Sequence, residues 1–173
     1  MSDKTNVMPN NLDAEQALLG CMLIDNEILA DVLDGLDKKD FYHESHQYII
    51  SAIKMIFAER KPLDIVTLSD RLDSDGNLEK AGGISYITEL TQITPSAANF
   101  KFYLDIVKRD SINRSLIRAA REIAEVLARD VTGNGATKAQ EILAEYSSGD
   151  ADERNIQLLC KLIIETLAHL TTK

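Results

Sequence analysis

Residue types able to do chemistry recur at four places in the chain, and each lacks a part that its chemistry needs. His43-Glu-Ser-His46 sets two imidazoles three positions apart, on one helical face, as a zinc site would. The spacing is one residue short of the zinc-protease pattern, and no Cys or carboxylate motif completes the set. Both histidines are therefore expected to pack or to sit at a helix start. Gly133-Asn-Gly-Ala-Thr-Lys138 has the glycines and lysine of a phosphate-binding loop without the Gly-x-x-x-x-Gly-Lys-Ser/Thr order. Asp73, Asp75 and Asn77 begin like a calcium loop, but Leu78 takes the sixth position, where Gly is needed, and Ile84 the twelfth, where Glu is needed. Ser, His and acidic residues occur together by chance in a polar chain, and no nucleophile sits at a recognisable strained turn. The sequence predicts no catalytic residue, no cofactor and no metal.

Charge gives a better candidate. Over 173 residues the net charge is -9, with a pI near 4.8, so the whole molecule is repelled by phosphate backbones and anionic lipids. Acid predominates in residues 1–100 (17 acidic, 8 basic) and in 130–173 (7 acidic, 4 basic), whereas 101–129 holds 7 basic and 4 acidic groups. Within that basic segment Arg114, Arg118 and Arg121 follow at intervals of four and three, one stripe along a helix. Such a stripe is either a solvated face bridged to Asp105, Asp110, Glu122 and Glu125 or a face that meets a partner. Direct reading of DNA sequence is not expected from so acidic a chain with 5% aromatic residues.

The elements that position these residues are helical. Eight Gly and three Pro, with no Trp, leave little punctuation for an all-β fold. Residues 1–11 form a polar arm. From Asp13, a plausible N-cap with Gln16 in the reciprocal position, Ala14, Ala17, Leu18, Cys21 and Met22 share one face. A second helix is expected over Glu27–Leu36, and a third over Glu44–Arg60 carrying Ile49, Ile53, Ile56 and Phe57. Asp64 or Thr67 opens a fourth with Ile65, Leu68 and Leu72 inward, and a fifth runs from Ile84 to Ile93 with Ile84, Ile87 and Leu90. Between Ser96 and Asp130 there is neither Gly nor Pro, which predicts one helix of about 45 to 50 Å. A short turn then returns the chain into a helix over Thr137–Tyr146, with Ala139, Ile142 and Leu143 inward. Glu153 to Leu170 is expected to be a last amphipathic helix, through Ile156, Leu159, Cys160, Ile163 and Leu167.

The predicted fold is thus all-α: an arm (1–11), a multi-helix head (12–95), a long-helix hairpin (96–146), and a linker with a C-terminal amphipathic helix (147–173). These apolar stripes exceed what a small head can cover, which predicts association. Cys21 and Cys160 lie far apart among apolar neighbours and read as two buried thiols in a cytoplasmic protein. Neither a signal peptide nor about 18 consecutive apolar residues is present.

The blocks Asn11-Leu-Asp-Ala-Glu-Gln-Ala-Leu-Leu-Gly-Cys-Met-Leu-Ile-Asp25, Asp40-Phe-Tyr42 with His46, Pro62-Leu-Asp-Ile-Val-Thr-Leu68, Gly82-Gly-Ile-Ser-Tyr-Ile-Thr-Glu-Leu90, Pro95-Ser-Ala-Ala-Asn99 and Arg114-Ser-Leu-Ile117 run in order and spacing. Over roughly Pro9 to Tyr146 the chain resembles the N-terminal domain of the bacterial replicative DNA helicase, the DnaB-like family. The resemblance implies an all-helical head with a hairpin that pairs between subunits, six copies forming a collar as a trimer of dimers. It also implies docking of the primase C-terminal helicase-binding domain, or of a helicase loader or full-length helicase, with DNA met only indirectly and no membrane. Interface residues expected on that basis are Ile112, Arg114, Leu116, Ile117, Arg118, Arg121, Ile142 and Leu143. The family's RecA-like motor and its phosphate-binding loop have no counterpart in these 173 residues, so ATP hydrolysis is not carried over. Two other readings are an accessory acting with a motor on another chain and a single-stranded DNA binder.

Overall fold

Asn11, not Asp13, starts the first helix. Its side-chain oxygen accepts from the Ala14 N–H at 2.9 Å, which moves the start earlier and leaves Asp13 and Glu15 in the first turn of α1 (Leu12–Ile24). The computed structural model describes residues 8–130 and 133–147. Next, Asp25 caps a 3₁₀ turn (Asn26–Ile28) that leads into the short α2 (Leu29–Leu33), so the helix expected over Glu27–Leu36 is split and ends sooner, with Asp34 as its C-cap. A second 3₁₀ turn (Lys38–Asp40) leads to α3 (Glu44–Ala58). That helix closes in a Schellman arrangement: Lys61 N–H donates to Ile56 C=O at 3.1 Å and Arg60 N–H to Phe57 C=O at 3.0 Å. Arg60 supplies the left-handed residue, φ 56°, at a cost of about 1 kcal/mol relative to Gly.

Asp64 and Thr67 cooperate in opening α4 (Ile65–Ser74), Thr67 N–H donating to Asp64 at 2.7 Å and Asp64 N–H to the Thr67 hydroxyl at 2.9 Å. α5 follows (Gly83–Ile93). After a Ser96-capped 3₁₀ turn, α6 runs unbroken from Phe100 to Arg129, 30 residues or about 45 Å. α7 (Gly135–Ser147) follows the return turn. No strand occurs among the described residues, and the all-α class stands. The expected helix over Glu153–Leu170, and Cys160 with it, lie outside the described residues.

Two compact units make up the chain, Met1–Ser111 and Ile112–Lys173, the division lying inside α6. In the first, α1 packs against α3 and α5 while α4 packs against both of those helices. α1 is buried nearly all round: Leu18, Leu19, Cys21 and Met22 are inaccessible, together with Ile49, Ile53, Leu68 and Ile87. Each such side chain contributes about 1.5–3 kcal/mol by leaving water. Cys21 donates its thiol to Ser96 C=O at 3.7 Å, and burial pushes that thiol up from its ordinary pKa. Phe57 and Ile84, expected to face inward, are instead exposed; Phe57 lies in the last turn of α3 and Ile84 in the first turn of α5, where the helix ends outrun the core.

The caps make this unit sensitive to acid. Lys38 N–H, then Lys54 and Lys39, hold the Asp37 carboxyl below its usual range, and the Thr67 N–H and hydroxyl do the same for Asp64. A carboxyl whose folded pKa is depressed stabilises above its unfolded pKa of about 4 and loses that contribution as pH falls through the folded value. The melting temperature of the wild type should therefore fall more steeply between about pH 5 and 3 than that of an Asp37→Asn/Asp64→Asn double variant. Equal slopes would reject the assignment.

Candidate interaction surface

The hairpin has its own small core. Ala119 and Ile123 of α6 bury against Ala139 and Ile142 of α7, with Leu116, Val126 and Leu127 packed at the margin. The turn is fastened by Asp130, whose carboxylate accepts from the Gly135 N–H at 2.5 Å. A Cβ at Gly135 would stand 2.8 Å from that carboxylate oxygen and 3.0 Å from Leu127 Cδ2, so a larger residue there would have to move those two side chains.

The anticipated interface residues fall into three environments. Leu116 and Ile142 belong to the hairpin core or its margin. Ile112 and Ile117 are half-buried and, among the described residues, belong to neither this core nor the core of the first unit. Leu143 lies on α7. The arginines divide as well: Arg118 and Arg121 are exposed, whereas Arg114 is only 2% exposed. Spacing placed the three on one stripe, but burial withdraws Arg114 from it, leaving two exposed guanidinium groups on that face.

In the first unit, the pair singled out for metal chemistry divides too. His43 is exposed at the start of α3, its Nδ1 2.8 Å from the Ser45 hydroxyl. His46 is fully buried, with Nδ1 2.6 Å from Glu15 Oε2 and Nε2 2.6 Å from the Tyr86 hydroxyl. Glu15 also accepts from Tyr42 N–H at 2.7 Å and His43 N–H at 3.3 Å, while Gln16 donates to the Tyr86 oxygen at 3.0 Å. Burial, and to a smaller degree Glu89 and Glu15, push the Tyr86 phenol above its ordinary value. This network joins α1, the start of α3 and α5; both His46 nitrogens are engaged internally, so it offers no free base. Among the described residues no group of three or more His, Cys, Asp or Glu could hold a metal ion. Tyr86→Phe removes one donor-acceptor from a buried chain and should cost about 1–2 kcal/mol by urea unfolding, with the fold retained by circular dichroism. The sequence carried one overlooked signal for it, the acidic Glu15 flanked by Ala14, Ala17 and Leu18 on an apolar helix.

Residues 7–109 match the family of the DnaB-like helicase N terminal domain. The replicative DNA helicase DnaB of Buchnera aphidicola subsp. Baizongia pistaciae is 37% identical over 123 residues, which is 71% of this chain and 27% of that protein. The replicative DNA helicase DnaC of Bacillus subtilis is 39% identical over 127 residues, 72% of this chain and 28% of that protein. The chain thus spans less than a third of the length of these relatives. Among solved structures, the N-terminal domain of DnaB helicase from Mycobacterium tuberculosis gives a TM-score of 0.77 at 32% identity, covering 81% of this chain and 99% of that one. A structure of a DnaB-like replicative helicase and its interactions with primase gives 0.68 at 24% identity, matching 88% of this chain to 34% of that one, a likeness of fold. No helix among the described residues is long and apolar enough to cross a membrane.

Proposed function

Because the chain belongs to the DnaB-like helicase N-terminal domain family, we propose that it serves as a collar module of a replicative helicase, associating with itself through the α6–α7 hairpin and docking primase. The observation that carries this reading is the position of Ile112 and Ile117, half-buried apolar side chains that lie outside both packed cores among the described residues. Among the described residues the hairpin buries four side chains, a core small enough that pairing with a second hairpin would enlarge it.

Primase docking rests on the fold shared with a helicase described together with its primase interactions. Exposed Arg118 and Arg121 give a cationic face suited to a carboxylate-bearing partner. The module's work is mechanical: it holds subunits in register and receives a partner, with hydrolysis left to other domains. Light scattering at micromolar concentration, together with titration of a primase C-terminal domain, tests both halves. A dimer or larger assembly that binds primase is expected, with primase binding weakened by Arg118→Glu/Arg121→Glu at unchanged mass. A strict monomer indifferent to primase would overturn the proposal.

A further inference from the structure

A groove on the first unit, separate from the hairpin on which the collar reading rests, runs between α2 and the C-terminal half of α3. Two adjoining concavities of about 670 and 550 Å³ share Phe57, a residue 42% exposed. Ala30 and Leu33 line the first floor, and Leu29 and Ala58 the second. Charge is divided along it, with Asp31 and Asp34 bordering the first concavity and Arg60 and Lys61 the second. Two of the groove's cations are committed: Lys61 pairs with Glu59 at 2.7 Å and Lys54 with Asp37 at 3.5 Å. Arg60, Asp31 and Asp34 have no ion pair among the described residues.

Arg60 supplies a second observation. It is the only non-glycine residue with positive φ among the described residues, while five other positions with positive φ hold Gly. Glycine would close the α3 terminus at no conformational cost, so a guanidinium kept in this strained position suggests a use for its charge.

We propose that this groove docks an amphipathic helix of a partner protein. Its apolar stripe would seat on Phe57, acidic residues of its first turn would meet Arg60, and basic residues of its last turn would meet Asp31 and Asp34. The polarity is the one helices commonly carry, acid at the N-terminus and base at the C-terminus. A second copy of the same groove is a poor occupant, since one concave surface cannot fill another. Strand addition lacks a template, since the described residues contain no sheet edge.

The probe is a fluorescein-labelled synthetic helix with Leu at i, i+3, i+4 and i+7, Glu in the first turn and Lys in the last, beside a peptide of the same composition with its charged ends exchanged. Anisotropy titration against the full chain should show the first peptide binding about tenfold or more tightly than the second. Phe57→Ala should weaken it by a similar factor. Arg60→Gly should weaken binding while raising the melting temperature, a combination that damage to the fold would not produce. No binding, equal binding of the two peptides, or binding untouched by Phe57→Ala would overturn the proposal. So would loss of self-association on Phe57→Glu, because the occupant would then be a second copy. Light scattering of Phe57→Ala should match the wild type, which separates failure here from failure of the hairpin reading.

Discussion

Gly20→Ala is expected to destabilise the first unit by about 3 kcal/mol or more, even though the same change in an open helix would stabilise by about 1 kcal/mol. Gly20 lies inside α1 and is buried where that helix crosses α5. A Cβ there would run into the Thr94 hydroxyl and the Leu90 carbonyl oxygen, with Thr94 Cβ at 2.8 Å. The hydroxyl belongs to a short side chain and the carbonyl to backbone, so neither can step aside cheaply. Relief requires α1 and α5 to separate, and that opens the layer containing Leu18, Met22, Ile87 and Leu90. Thermal and urea unfolding should show a melting temperature lower by on the order of 10 °C. In the double variant with Thr94→Ala part of the loss should return, a coupling of about 1 kcal/mol, while the Leu90 contact remains. A single variant as stable as wild type would mean that the helices approach less closely than the structure places them.

Nothing in the sequence marks Gly20 as a contact, because its role depends on a helix more than sixty residues away. The apolar stripes of α3 and α4 were legible, since a period of 3.6 repeats over several turns and burial follows it. Helix starts were less so: Asn11 and Asp13 both make good caps, and it is Asn11, with extended backbone, that takes the role. The hairpin core was legible in Ala139 and Ile142 for the reason that the stripes were. Arg114 and Phe57 show the opposite limit. A helical wheel gives the direction of a side chain, not what covers it, so the wheel put Arg114 on a polar stripe and Phe57 on an apolar one, whereas the structure buries the first and exposes the second. The Glu15–His46–Tyr86 chain was hidden because its members are 31 and 40 residues apart and only the packing of three helices unites them.

Ile117→Asp should convert the proposed assembly to monomers without harming the fold of either unit. Ile117 is half-buried and, among the described residues, outside the hairpin core, so a carboxylate there keeps part of its contact with water in the monomer. On pairing, the same carboxylate would be covered without a partner, which costs about 3–5 kcal/mol and raises the dissociation constant by roughly two to four orders of magnitude. Leu116 is a poorer probe because it packs against the hairpin's own core, so an acid there mixes damage to the hairpin with damage to the interface. Ile123, 1% exposed in that core, is the matching control: Ile123→Ala should lower thermal stability by about 2–4 kcal/mol through the cavity it leaves. The two variants should therefore separate by readout, one shifting mass in light scattering with its monomer melting as before, the other shifting the melt. If Ile117→Asp keeps the mass of the wild type at micromolar concentration, Ile117 does not face a neighbouring subunit and the hairpin pairs, if it pairs, through another face.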